Sequence, residues 1–193
     1  MNKITQLLKT KHIEMRELVE NDMSSVYEMY QNKSLLHLWS PNTEFDSFGQ
    51  FKDMLVRRLL HRWDHGFVFI EKQKNSVIGF AYCYNANEFN KNTCVCLYID
   101  EPFIAHTYAL QASFLYLNKL FLYYKYRKIY AEVYSYNRRC VRLLNHIGFT
   151  EEGCLKDHQM WNGKYWDQYI FSMTKEIFDL KCTSYNELIE RVI

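Results

Sequence analysis

The spacing of apolar positions divides the chain into segments of different period. His12 to Leu18 alternates, with Ile13 and Met15 on one side and Glu17 following less cleanly, as a short strand would. From Asn21 or Asp22 the spacing changes, and Val26, Met29 and Tyr30 fall at i, i+3, i+4 on one helical face. Ser40-Pro41-Asn42 breaks that pattern. A second helix is predicted from about Ser47 to Trp63, burying a stripe of Phe48, Phe51, Leu55 and Leu59. Asp64-His65-Gly66 ends it, with Gly66 as the C-terminal stop.

Three strands come next: Phe67 to Glu71, Val77 to Tyr84 and Thr93 to Asp100. The polar turns Lys72–Asn75 and Asn85–Asn92 join them into an antiparallel meander, which Pro102 closes. A long helix is predicted from Thr107 to Tyr124, with Leu110, Phe114, Leu117 and Phe121 on one apolar face. Lys128 to Tyr134 reads as a strand and Asn137 to His146 as a helix carrying Val141 and Leu144. Glu152–Trp161 and Tyr165–Thr174 read as a hairpin turning at Asn162-Gly163, a strong two-residue turn signal. From Lys175 the tail is predicted helical. A helix between two strands makes them parallel, whereas the meander is antiparallel. The expectation is an α/β (α+β) fold: a mixed, mostly antiparallel sheet with a central parallel pair and helices on both faces.

Composition narrows the picture a little. The chain has 193 residues with two prolines and six glycines, which suits one domain over 1–193 with a helical tail at about 176–193. A formal net charge of +2, with scattered lysines and arginines, provides no field for nucleic acid. No apolar run reaches the roughly 20 residues of a membrane helix. Lys3, Lys9 and Lys11 break any N-terminal apolar run, so a cytoplasmic location is expected. There the six cysteines, Cys83, Cys94, Cys96, Cys140, Cys154 and Cys182, would be thiols. Cys94 and Cys96 have C-x-C spacing, which on a strand puts two small apolar side chains on one face; no metal site is expected.

The stretch from Ile129 to Lys175 carries Asn137, Cys140, Leu143, Leu144, Gly148, Phe149, Glu152 and Gly153, then Gly163, Asp167 and Tyr169. These positions resemble, in register, the C-terminal half of the GNAT acyl-CoA N-acyltransferases, in the ribosomal-protein-alanine and small-amine acetyltransferase branch. Val77-Ile78-Gly79-Phe80 also resembles a strand of that family. The resemblance implies the GNAT fold and acetyl-CoA as co-substrate. It further implies that backbone at Leu97, Tyr98 and Ile99 holds the donor arm and polarises the thioester. The pyrophosphate loop would be Ala105, His106, Thr107, Tyr108 and Ala109. The family pattern of glycines is absent there: the chain reads Ile104-Ala105-His106-Thr107-Tyr108-Ala109, and only Ala109 fits. Helix N-terminal amides can bind phosphate without glycine, but Thr107 adds a β-branched side chain.

The same resemblance gives Asn137 a donor-binding role beside its role as a helix cap. Arg138 and Arg142, at i and i+4, are candidates to pair with phosphate. For acid–base work Glu132, His158 and Tyr134 stand first, with Glu88, His106, His146 and Tyr136 also possible by type. Trp39, Trp63, Trp161, Trp166 and many tyrosines fall in the segments that shape the family's acceptor pocket, and suit an apolar or aromatic acceptor. The resemblance implies an N-acetyltransferase acting on a small amine or a protein N-terminus by direct attack in a ternary complex, as a monomer or homodimer. Two alternatives stay open: a non-catalytic binding protein with this fold, or an acyltransferase using a carrier protein or longer acyl donor.

Overall fold

The computed structural model describes residues 8–41, 43–61, 65–104 and 107–181. Its strands are β1 (Ile13–Glu17), β2 (Phe67–Glu71), β3 (Ser76–Asn87), β4 (Asn92–Ile99), β5 (Lys128–Tyr134), β6 (Thr150–Trp161) and β7 (Lys164–Thr174). They form one sheet in the order β1-β2-β3-β4-β5-β7-β6. All neighbours are antiparallel except β4 and β5, whose connection contains a helix. Asn162 and Gly163 both take positive φ, 51° and 71°, as a tight turn between right-twisted strands requires.

Helices cover both faces, and each face has its own apolar core. On one side lie α1 (Met23–Gln31), α2 (Lys33–Leu36) and α3 (Phe48–His61). Val26, Phe51 and Leu55 are fully buried there with Val68 and Phe80 of the sheet. Each such side chain contributes roughly 1.5–3 kcal/mol by leaving water. On the other side lie α5 (Tyr108–Asn118) and α6 (Arg138–His146), after a single turn, α4 (Glu101–Ile104). Ala112, Leu115 and Tyr116 pack there with Phe67, Ile78, Ile129 and Phe171. Residues 175–181 are helical and bring Phe178 onto this core. No helix among the described residues is long and apolar enough to cross a membrane.

Several expectations change in detail. Ser47 Oγ accepts from the Gln50 amide at 3.2 Å and starts α3, leaving Phe48 in the first turn, exposed and edge-on to Tyr27. Leu59's side chain, Trp63, Asp64, Asn42 and Cys182 lie outside the described residues. The left-handed turn before β2 is made by His65, φ 71°. Pro102 does not end a strand but sits in the first turn of α4, where its missing N–H costs nothing. The long helix is α-helical only to Asn118, and Lys119–Tyr123 widens into π-helix. α6 ends at Gly148, φ 89°, with the Phe149 amide bonded to the Leu144 carbonyl at 2.9 Å.

Candidate functional site

A gap opens in the middle of the sheet because its one parallel pair is short. β4 and β5 pair only where Asn92–Cys94 faces Lys128–Tyr130, yet β4 runs on to Ile99 and β5 to Tyr134. Beyond Cys94 the two strands diverge. The Asp100 amide donates to the Ile78 carbonyl of β3 at 2.8 Å. Since successive amides of a strand point to opposite edges, Cys96 and Tyr98 also face β3, and beyond the paired stretch Leu97 and Ile99 turn their N–H groups to the gap. Of Leu97, Tyr98 and Ile99, therefore, Leu97 and Ile99 point their amides into the gap. Tyr98 keeps its amide in the β3 ladder and its hydroxyl on Asp100, at 3.0 Å.

Gly79 is what lets β3 follow β4 here. A Cβ on it would lie 2.2 Å from the Tyr98 carbonyl oxygen and 2.7 Å from Ile99 Cδ1, so no side chain fits. The space a side chain would need here is taken by the neighbouring strand.

A cavity of about 700 Å3 occupies the gap and reaches both faces of the sheet. On the α5–α6 side its wall is apolar, with Val95 and Leu97 of β4, Ala131 and Val133 of β5, and Leu143 and Leu144 of α6. On the α1–α3 side the alternate residues of the same strands point in: Tyr82, Tyr84, Cys96, Glu132 and Tyr134, with Leu38, Trp39 and Gln168.

Glu132 is exposed at this second mouth. Its carboxylate accepts from Tyr84 Oη and from Gln168 Nε2, each at 3.2 Å. Burial, and then the negative charge of Glu132, raises the Tyr134 phenol above its ordinary range, so it keeps its proton at neutral pH. Tyr84 is raised for the same two reasons. Burial also pushes Cys96 to about 11 and Cys140 to about 12, so both cavity thiols stay neutral.

Asn137 lines the same cavity and holds two elements together. Its Oδ1 accepts from the Cys140 amide at 3.1 Å and caps α6, while Nδ2 donates to the Leu38 carbonyl at 3.4 Å. Next to it Tyr136 Oη donates to the His37 carbonyl at 2.7 Å. The segment His37–Trp39 is thereby strapped across the mouth on the α1–α3 side. His37 stacks on Trp161 at 4.5 Å between ring centroids, extending the strap to the β6–β7 hairpin.

The other residues singled out in the sequence fall elsewhere. His158 is exposed on β6, where the register shifts between Leu155 and Gln159, and it is not part of the cavity wall. Two bulges in β6 defeat any prediction of facing from residue parity. Glu88 is paired with Lys91 at 2.7 Å in the β3–β4 turn, and His146 is exposed at the end of α6. Arg138 and Arg142 are exposed on α6, outside the cavity wall. Ala105 and His106 lie outside the described residues. Thr107, exposed, accepts from Gln111 Nε2 at 2.8 Å through Oγ1, and Tyr108 packs on Phe103 and His12. Neither they nor Ala109 line the cavity, so Thr107 and Tyr108 do not fill it. Tyr82, Tyr84 and Gln168 were not singled out in the sequence. Tyr82 and Tyr84 share parity with Phe80, but nothing local says which face of that strand borders a gap.

An acetyl thioester donor is tested here by the walls themselves. The apolar α5–α6 side suits an aliphatic arm, and the unpaired β4 amides suit its carbonyl groups. The first amides of α5 lack helical acceptors, as at any helix start, and suit phosphate.

A model described as an acetyltransferase (GNAT) domain matches residues 15–170. A prophage-derived uncharacterized N-acetyltransferase of Bacillus subtilis is 29% identical over 125 residues, 65% of this chain and 70% of that protein. The spermidine N(1)-acetyltransferase of Vibrio cholerae is 24% identical over 153 residues, 79% and 87% of the two chains. Among solved structures, V. cholerae spermidine N-acetyltransferase in complex with CoA and spermine superposes with a TM-score of 0.80 at 20% identity, covering 86% of this chain and 98% of that one. Ribosomal-protein-S5-alanine acetyltransferase from Vibrio fischeri gives 0.76 at 20% identity, covering 87% and 96%. The family model spans the diverging β4 and β5, the capped α6 and most of β7, and the chain belongs to the GNAT acetyltransferase family.

Proposed function

We propose that this acetyltransferase moves an acetyl group from acetyl-CoA to a primary amine by direct attack, with Glu132 as the proton acceptor. The observation that carries this reading is a single carboxylate set at the mouth of a gap whose other side is apolar. Acetyl-CoA supplies the activated acetyl group as a thioester. The Leu97 and Ile99 amides are positioned to donate to the carbonyl oxygen as negative charge develops on it. Glu132 draws the proton from an incoming ammonium, leaving the nitrogen lone pair free to attack. A C–N bond forms and the C–S bond breaks; Tyr134 gives its proton to the departing thiolate and regains one from the acylated nitrogen, while Glu132 releases the ammonium proton to solvent. Asn137, Leu143 and Leu144 hold the donor arm, and the α5 start holds its phosphates.

The test is thermal melting with and without acetyl-CoA, followed by thiol release with added amines. Ligand at about 100 times its Kd should stabilise the fold by ~2.7 kcal/mol. No melting shift at millimolar acetyl-CoA would overturn the reading.

A further inference from the structure

The acceptor-side mouth differs from a general amine site in one respect: its charge is minimal and its walls are rings. Among the described residues that line the cavity, Glu132 alone carries a formal charge. Trp39, Tyr82, Tyr84 and Tyr134 surround the same mouth. These rings are held in a packed array. Tyr82 stacks on Phe80 with planes 8° apart, Trp39 stands edge-on to Phe80 and tilted against Tyr98 at 5.5 Å, and Tyr134 stacks on Tyr136. Glu88, a carboxylate in the nearby β3–β4 turn, is already paired with Lys91.

We infer that the acceptor is a monoamine with one ammonium and an aromatic or branched aliphatic body, and not a polyamine or a peptide N-terminus. This deepens the acetyltransferase reading and rests on it. One ammonium is matched by one carboxylate, with ring faces adding attraction for the cation and contact area for the body. A polyamine would bring a second and third ammonium against rings with no further anion, and desolvating an unpaired charge is expensive. A peptide would bring amides that need partners, yet Tyr84 and Gln168 are already engaged with Glu132. The strap His37–Trp39, fixed by Tyr136 and Asn137, also adds Leu38 and Trp39, two apolar side chains, to this wall.

The experiment is a thiol-release assay on the full chain with phenethylamine, isoamylamine, putrescine, spermidine and an Ala-initiated peptide, alongside melting with acetyl-CoA. The expected result is a kcat/KM for phenethylamine at least about tenfold above those for spermidine and the peptide. Tyr82→Leu should raise KM for phenethylamine about fivefold with little change in kcat, the signature of a lost binding wall. If acetyl-CoA stabilises the protein but spermidine or the peptide is preferred, or no monoamine is acetylated, this inference falls and the acetyltransferase reading stands. If acetyl-CoA gives no shift and no amine releases thiol, both fall.

Discussion

Tyr84 of β3 reaches past the intervening strand β4 to donate its phenol to Glu132 of β5, at 3.2 Å. This contact spans the mouth of the gap at the point where β4 and β5 part. It fixes where the one charged group of the cavity wall stands. Gln168 of β7 supports the same carboxylate from the opposite side.

Replacing Glu132 with Gln removes the proposed proton acceptor and keeps a hydrogen-bond acceptor for Tyr84. The expected loss is about 100-fold or more in kcat/KM, with stability within ~0.5 kcal/mol of the parent. Steady-state thiol release and a melting curve measure the two effects separately. A variant of unchanged activity would remove Glu132 from the mechanism.

Asn137 offers a cleaner dissection, because its two bonds belong to different atoms. Asn137→Asp retains Oδ1 as the α6 cap but loses the Nδ2 donor to Leu38. Asn137→Ala loses both, and the cap alone is worth ~1 kcal/mol. The aspartate variant should melt near the parent yet show raised acceptor KM, because the strap over the mouth is loosened. The alanine variant should melt lower as well.

Gly79→Ala places a methyl 2.2 Å from the Tyr98 carbonyl, a backbone atom that cannot swing aside. The strands must separate locally, in the stretch where β4 presents Leu97 and Ile99 to the gap. A loss of ~1–3 kcal/mol is expected, as for other overpacked sites, together with weaker stabilisation by acetyl-CoA. Differential scanning fluorimetry with a ligand titration reads both.

The acid limb of stability should trace largely to Asp22. Burial by itself would raise this carboxyl, but the Arg16 guanidinium, at 2.6 Å, and the Val19 amide, at 2.9 Å, outweigh it and hold it below the usual range. A depressed folded pKa means that the contribution is complete above the unfolded value, near 3.9, and disappears as pH falls through the folded one. Asp22→Asn should therefore lower stability at neutral pH and flatten the acid side of the pH–stability curve. Urea midpoints measured from about pH 7 down to pH 2 check it.

Periodicity was enough for β1, β5, α1 and α3, which bury one face each, whereas β2, with Phe67, Val68 and Phe69 all buried, showed itself as a short apolar run between turn residues. α2 escaped it, since four residues are too few to show a period. The π-helical turn at Lys119–Tyr123 escaped it because the apolar run continues unbroken through the change of winding. Of the cavity lining, Asn137 was singled out in the sequence through the family resemblance, and Glu132 and Tyr134 by residue type on their strand. Tyr84 and Gln168 were not, because they matter through partners 48 and 36 residues away. His158, chosen by residue type, lies on the irregular stretch of β6 between Leu155 and Gln159 and outside the cavity wall, a placement that type alone does not reveal.

The gap owes its existence to main chains that stop pairing after Cys94, not to any particular side chain being small. Such an opening is robust to mutation of its lining: residues along its two banks can be exchanged for others of similar bulk without zipping the sheet shut. Substrate choice in this scaffold is thus free to change by repainting the outer bank alone, while the donor berth beneath is inherited intact.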